Sequence, residues 1–324
     1  MQLFPQHITI HSQLINIKDI KRYNIDEKIV DFLISWYDDN DYITVKTSGS
    51  TGEPKAIQLA KSFIADSAKR TIDFFNLKKN DPILLCLPTE FIAGKLMIVR
   101  ALIGELDLHH VPPTSDFSFL SQRIKPFVFV AMVPNQVNKL LGNPRLFDSI
   151  KTLLIGGSAI PHKIEQQLHN VATQCYSSYG MTETATHIAL KSLNRNDKNS
   201  CYQCLNGIEV SLSNDCLTIH IAGLSQDIIT NDIAHIIDKS HFEILGRADN
   251  VIICGGIKLI PEVLEKKLQA FKEDEKRRTE LTNIMAQQLG KYERAKKIFF
   301  IKQFKKTKTD KIIKKLLSYN LRVL

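Results

Sequence analysis

Short apolar runs and segments of helical period alternate through most of the chain. Ile83-Leu84-Leu85-Cys86-Leu87, bounded by Pro82 and Pro88, is uninterruptedly apolar, the pattern of a strand buried on both faces. Phe127–Met132, Thr152–Ile155 and Val171–Tyr176 read as strands too, and another is expected near Leu106–Val111. Apolar residues at 59, 60, 63, 64, 68, 72 and 75 mark an amphipathic helix over Leu59–Phe75. Helices are likewise expected at Glu27–Trp36, Ile92–Ile103 and Asn135–Leu141, and Ile160, Ile164 and Leu168 share one face of a further helix. The rest of residues 1–40 is mixed and carries no motif. Strands and helices in this cadence predict βαβ units around a parallel sheet, an α/β fold. From about Gly207 the rhythm changes to short alternating strands, Ile208–Ser213 and Leu217–Ala222 among them, which predicts a small β subdomain. After Arg247 an α+β piece is expected, with helices at Pro261–Phe271 and Glu275–Leu289, a strand at Lys297–Ile301 and a terminal helix.

Composition narrows the setting. The 324 residues, 44% hydrophobic and 24% charged, suffice for a sizeable core shared by roughly two domains. No apolar run approaches the roughly 18–20 residues that cross a bilayer, and the opening MQLFPQHITI lacks the order of an export signal. A cytoplasmic protein without membrane insertion is expected. The formal net charge is +9, and nine lysines lie between Lys296 and Lys315. Such charge suits nucleic acid, an anionic membrane surface or polyphosphate ligands, or is a solvated surface. No recognition helix, aromatic-rich RNA-binding pattern or zinc-finger pair accompanies it, so nucleic acid is not expected as a partner. Cys201-x-x-Cys204 with Cys216 and His220 imitates zinc-ligand spacing. Residues 216–221 alternate like a strand, however, and free cysteine is often simply buried, so reduced thiols rather than a zinc site are expected.

One stretch exceeds what a surface loop needs. Thr47-Ser48-Gly49-Ser50-Thr51-Gly52-Glu53-Pro54-Lys55 gathers four hydroxyls, two glycines and a lysine behind the alternating run Tyr42-Ile43-Thr44-Val45. Glycines let backbone N–H groups close on an anion, and Lys55 adds a point charge suited to phosphate. The Walker A spacing is absent. Ile155-Gly156-Gly157-Ser158-Ala159 ends one predicted strand on a two-glycine turn. Ser178-Tyr179-Gly180-Met181-Thr182-Glu183-Thr184 follows another, and reads locally as strand end, turn and helix start.

The T-S-G-S-T-G-x-P-K loop resembles the phosphate loop of the adenylate-forming superfamily of acyl- and aryl-CoA ligases, and Y-G-x-T-E resembles that superfamily's second motif. The resemblance implies that Thr47, Ser48, Gly49, Ser50, Thr51, Gly52 and Lys55 bind the phosphates of ATP. Tyr179, among Ser178, Gly180 and Met181, would pack on adenine, Thr182 would bind the α-phosphate, and Glu183 would hold Mg²⁺. Mg²⁺ takes a few carboxylate oxygens and completes its shell with phosphate and water. Gly156, Gly157 and Ser158 resemble the loop beside adenine and the acyl group. Thr230-Asn231-Asp232 stands where relatives carry T-G-D, with Asp232 on the ribose hydroxyls. Residues 245–258 resemble the hinge motif G-R-x-D-x-V-I-x-x-G-G-x-K. There Arg247 would reach ribose or phosphate, Asp249 would be the pivot, and Gly255 and Gly256, with Lys258 beyond, would border the coenzyme A tunnel. Thr307-Lys308-Thr309-Asp310-Lys311-Ile312 resembles T-x-x-G-K-I and places Lys311 in the frame of the adenylating lysine. Asp310 replaces a usual glycine and Ala295 a common proline; aspartate tolerates left-handed geometry, so Lys311 is still expected to be presented.

The resemblance covers roughly residues 42–316, yet only 46 residues precede the phosphate loop, so most of the usual N-terminal subdomain is expected to be missing. Compact forms of this kind resemble the o-succinylbenzoate–CoA ligases of menaquinone synthesis, and Leu87–Leu102 resembles their acid-pocket helix. A dicarboxylate needs a cation for its spectator carboxylate. Arg100 is the first candidate and Lys95 the second, with Phe91 beside them; Arg100 could equally cap or pair on the helix surface. The implied organisation is a truncated adenylating domain over 1–247 and a small, mobile C-terminal lid over 248–324. The implied reaction makes an acyl-adenylate from acid and ATP and then passes the acyl group to coenzyme A. Another acid, a carrier-protein acceptor, or a non-catalytic nucleotide- or nucleic-acid-binding role stay open, as does a homodimer.

Overall fold

The computed structural model describes residues 4–46, 55–194, 201–254, 256–268, 285 and 287–290. The loop residues 47–54, Gly255, Asp310 and Lys311 lie outside them. So do most of the helix expected at Glu275–Leu289, the strand at Lys297–Ile301 and the terminal helix. Two compact units divide the chain, Met1–Gly207 and Ile208–Leu324, at the point where the apolar rhythm changes.

In the first unit, β1 (His7–Ile10) and β2 (Gln13–Asn16) form a hairpin, followed by α1 (Glu27–Trp36). A second hairpin, β3 (Tyr42–Lys46) and β4 (Ala56–Ala60), leads into α2 (Lys61–Phe75). Then come β5 (Pro82–Leu85), α3 (Ile92–Ile103), β6 (Asp107–His110), β7 (Phe127–Met132) and α4 (Pro134–Leu140). The unit finishes with β8 (Ile150–Ile155), α5 (His162–Leu168), β9 (Gln174–Met181), β10 (Thr186–Ser192) and β11 (Tyr202–Cys204). The sheet runs β9-β8-β7-β5-β6-β1, all parallel, and is extended by antiparallel β10 and β11 at one edge and β2 at the other. This is the α/β architecture the apolar pattern predicts.

Helices cover both faces of the sheet. Phe129 of β7 meets Phe75 of α2, ring centroids 5.2 Å apart. Its strand neighbours Val130 and Met132 belong instead to a cluster with Val137 and Leu140 of α4 and Ile164 and Leu168 of α5. Successive side chains point to opposite faces, so a strand covered on both sides must be apolar throughout. Cys86 and Cys175 join the same cluster, and burial pushes both thiols up to about 12. α3 is buried nearly all round, which explains its almost unbroken apolar sequence. Gly94 is required in its first turn, since a Cβ there would lie 2.3 Å from the Pro88 carbonyl oxygen. α1 is capped by Asp26, whose carboxylate accepts from Lys28 N at 2.9 Å.

Three expectations need correction. Leu59 and Ala60 are not the first turn of α2; they pair with Ile43 and Tyr42 in the β3–β4 hairpin. Their apolar spacing fits both periods. Ile160 precedes α5 rather than sharing its face. The β1–β2 hairpin went unpredicted because His11 and Ser12, at φ 49° and 65°, make its two-residue turn without the Asn-Gly or Asp-Gly signal of such turns. Ser12 fastens that turn to Asp107, its N and Oγ lying 2.8 and 2.9 Å from the carboxylate oxygens.

The second unit is an antiparallel meander, β12 (Ile208–Ser213), β13 (Cys216–Ile221), β14 (Ile228–Asp238) and β15 (His241–Arg247). A hairpin of β16 (Ile252–Cys254) and β17 (Ile257–Leu259) and helix α6 (Pro261–Leu268) follow.

Candidate active site

The two glycine-containing strings of the first unit meet at the carboxyl ends of adjacent parallel strands, where open α/β sheets bind ligands. β8 and β9 run in register from Thr152↔Gln174 to Ile155↔Ser177, so Gly156, where β8 ends, lies beside Ser178, where β9 runs on paired to β10 alone. They are in contact: Ser178 Oγ donates to the Ile155 carbonyl at 3.1 Å, and a Cβ on Gly156 would come within 2.2 Å of that hydroxyl. Gly157 follows at φ 86°, left-handed geometry that favours glycine, and Ser158 is exposed. Tyr179 is half-buried, with its ring centroid 5.7 Å from that of Tyr202. Tyr202 also shares a 2.9 Å hydrogen bond with Ser177 Oγ. No sequence signal pointed to Tyr202, which comes from β11.

No helix begins after Tyr179-Gly180-Met181. β9 continues to Met181, residues 182–185 turn, and β10 returns antiparallel, with Met181↔Thr186 and Gly180↔His187 in register. The expected helix start is therefore corrected to a hairpin; the Thr and Glu that suggested an N-terminus lie on its turn. Gly180 has a steric reason, since a Cβ there would lie 2.0 Å from the Thr186 carbonyl oxygen. Thr182 is half-buried and Glu183 exposed. One exposed carboxylate fits Mg²⁺, which draws most of its ligands from phosphate and water.

The two cationic candidates on α3 do not share a site. Lys95 lines a cavity of about 270 Å³ with Phe32, Thr44, Thr89 and Glu90, its Nζ 5.0 Å from the Phe32 ring centre. Burial lowers its pKa, while Glu90 acts in the opposite direction. Phe91 is half-buried just before the helix. Arg100, five residues on and so about 140° round the helix, is only 2% exposed. Its guanidinium lies 5.7 Å from the Phe129 ring centre and 3.4 Å from Met97 Sδ. Among the described residues its Nε finds no hydrogen-bond partner and no carboxylate pairs with it. Burial holds its pKa well below that of a free guanidinium. Nearby His187 is kept neutral, first by burial and then by Arg100, and shares a 3.2 Å hydrogen bond with Thr71.

In the second unit, Asp232 and Arg247 are cross-strand partners 3.1 Å apart, and Asp249 lies 3.9 Å from the same guanidinium. Asp232 N also donates to Thr230 Oγ1 at 3.1 Å. Gly256 sits at φ 80° in the β16–β17 turn. Lys258 is exposed and paired with Asp215 at 2.9 Å. Lys55, the described end of the phosphate-loop string, is exposed just before β4.

Residues 35–217 match the family described as AMP-binding enzyme, more than half of the chain. The 2-succinylbenzoate–CoA ligase of Haemophilus influenzae is 32% identical over 239 residues, 68% of this chain and 51% of that protein. Its Escherichia coli counterpart is 28% identical over 239 residues, 69% of this chain and 51% of that protein. The chain thus spans about half the length of these curated relatives. Among solved structures, an acyl-CoA synthetase (AMP-forming)/AMP-acid ligase II-like protein from Dyadobacter fermentans is 31% identical with a TM-score of 0.67, covering 94% of this chain and 97% of that one. The O-succinylbenzoate coenzyme A synthetase (MenE) of Bacillus subtilis in complex with ATP and magnesium ion has a TM-score of 0.72 at 19% identity, over 85% of this chain and 69% of that one, a likeness of fold. Its strand-end motifs and the match across residues 35–217 together show that the chain belongs to the AMP-binding, adenylate-forming enzyme family.

Proposed function

We propose that this protein is an ATP-dependent acid–CoA ligase that works through an acyl-adenylate, with o-succinylbenzoate as its acid and menaquinone synthesis as its setting. The observation that most supports this reading is the meeting of Gly156–Ser158 with Ser178–Glu183 at the ends of β8 and β9, in a chain whose family adenylates. The acid carboxylate attacks the α-phosphorus of ATP, forming the acyl–AMP bond and expelling pyrophosphate. The coenzyme A thiol, losing its proton, then attacks the acyl carbonyl and AMP departs.

Residues 47–52 and Lys55 hold the phosphates, Tyr179 and the Gly156–Ser158 turn flank adenine, and Asp232 with Arg247 serves the ribose. Thr182 faces the α-phosphate, and Glu183 would hold Mg²⁺, which neutralises phosphate oxygens when bound. Lys311 supplies positive charge as the α-phosphorus accumulates negative charge, the electrostatic role a positioned cation plays in phosphoryl-group chemistry. Residues 248–324 turn about Asp249 between the half-reactions, bringing Gly255, Gly256 and Lys258 to coenzyme A. The choice of a dicarboxylic acid is supported by Arg100, a buried guanidinium short of an anion, and by the 2-succinylbenzoate named for several relatives.

A pyrophosphate-release assay over a panel of carboxylic acids, with trapping of acyl-AMP, tests the reading. o-Succinylbenzoate is expected to give the highest kcat/KM. Lys311→Ala is expected to lower adenylate formation by roughly 10³-fold or more while ATP still binds. Absence of acyl-AMP with every acid offered would overturn the proposal.

A further inference from the structure

The hairpin turn that carries Thr182 and Glu183 is held in a conformation its sequence does not favour. Ala185 sits at φ 53° and Thr186 at φ 114°, values that residues with a Cβ rarely adopt and β-branched residues least of all. Such backbone persists only where its surroundings over-determine it. Here they do. Thr184 is 1% exposed, and its hydroxyl reaches across the whole turn. It accepts from Met181 N at 3.0 Å and offers its one proton to the carbonyls of Met181, also at 3.0 Å, and Thr186. From α2, buried Ser67 donates through Oγ to the Ala185 carbonyl at 3.2 Å and lies 3.5 Å from Thr186 Oγ1. The bare Cα of Gly180 admits the Thr186 carbonyl from the other side.

Glu183, in contrast, is exposed and makes no ion pair among the described residues. Nothing there fixes its carboxylate except the backbone beneath it. A metal-binding carboxylate in that state depends on groups that never touch the metal. We propose that Thr184 and Ser67 are positioning residues: Thr184 clamps the turn so that Glu183 and Thr182 present their oxygens to MgATP, and Ser67 ties the clamp to α2. α2 directly follows β4, the outgoing strand of the phosphate-loop hairpin, so the same helix serves both ATP-binding segments. This inference rests on the ligase reading above.

The test uses the full chain and two readouts. One is calorimetric affinity for ATP with excess Mg²⁺ and for ATP with EDTA; the other is the Mg²⁺ concentration for half-maximal pyrophosphate release. Thr184→Val, nearly isosteric but without the hydroxyl, is expected to cut the preference for MgATP over metal-free ATP about tenfold and raise the Mg²⁺ requirement about as much. Its affinity for metal-free ATP should fall by only about threefold, the part that passes through Thr182, a disparity that a general loss of structure would not produce. Thr184→Ser is expected to restore both values, and Ser67→Ala to move them in the same direction by about threefold. Circular dichroism and thermal unfolding report whether each variant folds. Should Thr184→Val not fold, Ser67→Ala decides: wild-type Mg²⁺ dependence there would overturn the clamp, as would equal losses of both affinities in either variant. A wild-type protein that yields acyl-AMP while the variants keep its Mg²⁺ dependence refutes the clamp alone. A wild type without acyl-AMP refutes the ligase reading, and the clamp with it.

Discussion

Arg247 in the second unit lies beside a carboxylate on the neighbouring strand, whereas Arg100 in the first is enclosed in α3 with a thioether and an aromatic face for company. The first pair is partly open to water, at 40% exposure for Arg247 and 12% for Asp232. Its charges compensate each other within the chain, which holds the guanidinium in place. Arg100 has lost its water and gained no anion among the described residues, and burying an uncompensated charge weakens a fold. One arginine is pre-organised by a partner in the chain. The other has no such partner among the described residues, at a cost to the fold.

The largest test of this contrast is Arg100→Met, which keeps much of the volume and removes the charge. It is expected to lower kcat/KM for o-succinylbenzoate by roughly 10²- to 10³-fold, as losing one partner of a buried charged pair does, while raising the thermal stability of the ligand-free protein. Pyrophosphate release and calorimetry check the two halves; undiminished use of the dicarboxylate would remove Arg100 from the acid site. Next comes Asp232→Asn, which leaves Arg247 only the more distant carboxylate of Asp249, 3.9 Å away. A roughly tenfold rise in the KM for ATP is expected, the value of one charge-assisted hydrogen bond, with kcat at saturating ATP changed far less. A change in kcat alone would contradict a ribose-binding pair.

The smallest effect concerns His187, whose pKa lies well below 6.5 because it is buried beside Arg100. Above pH 6.5 the ring is neutral in native and unfolded chains alike. Below it the unfolded chain takes up a proton that the native protein refuses, so stability falls with pH by up to about 1.4 kcal/mol per unit. His187→Gln should flatten that acid limb by up to one proton, as measured by urea unfolding at pH 7 and pH 5. Saturating dicarboxylate should flatten it too in the wild type, because an anion on Arg100 removes one reason for the ring to stay neutral.

The parallel core was legible because strands covered on both faces leave unbroken apolar runs: Phe127–Met132 appears as predicted, and α3 matches Ile92–Ile103 at both ends. The glycine strings were legible as chemistry because only a ligand or a close backbone contact asks for such residues at strand ends. Local reading failed where two periods coincide, as at Leu59 and Ala60, or where distant segments decide the outcome. Thr182 and Glu183 look like a helix N-terminus until His187 is seen pairing with Gly180. Spacing along α3 could not separate Lys95 from Arg100, because each meets a wall built by other elements: Phe32 of α1 for the lysine, Phe129 of β7 for the arginine. Ser67 and Tyr202 carried no signal, since their partners are remote in sequence.

Cys86 and Cys175, sealed against the α4 and α5 face with thiols near 12, have a practical consequence. An alkylating reagent needs thiolate and access, and the native unit denies it both. Covalent tagging of these two sulfurs therefore times the opening of that half of the sheet, giving the protein an internal chronometer for its own breathing.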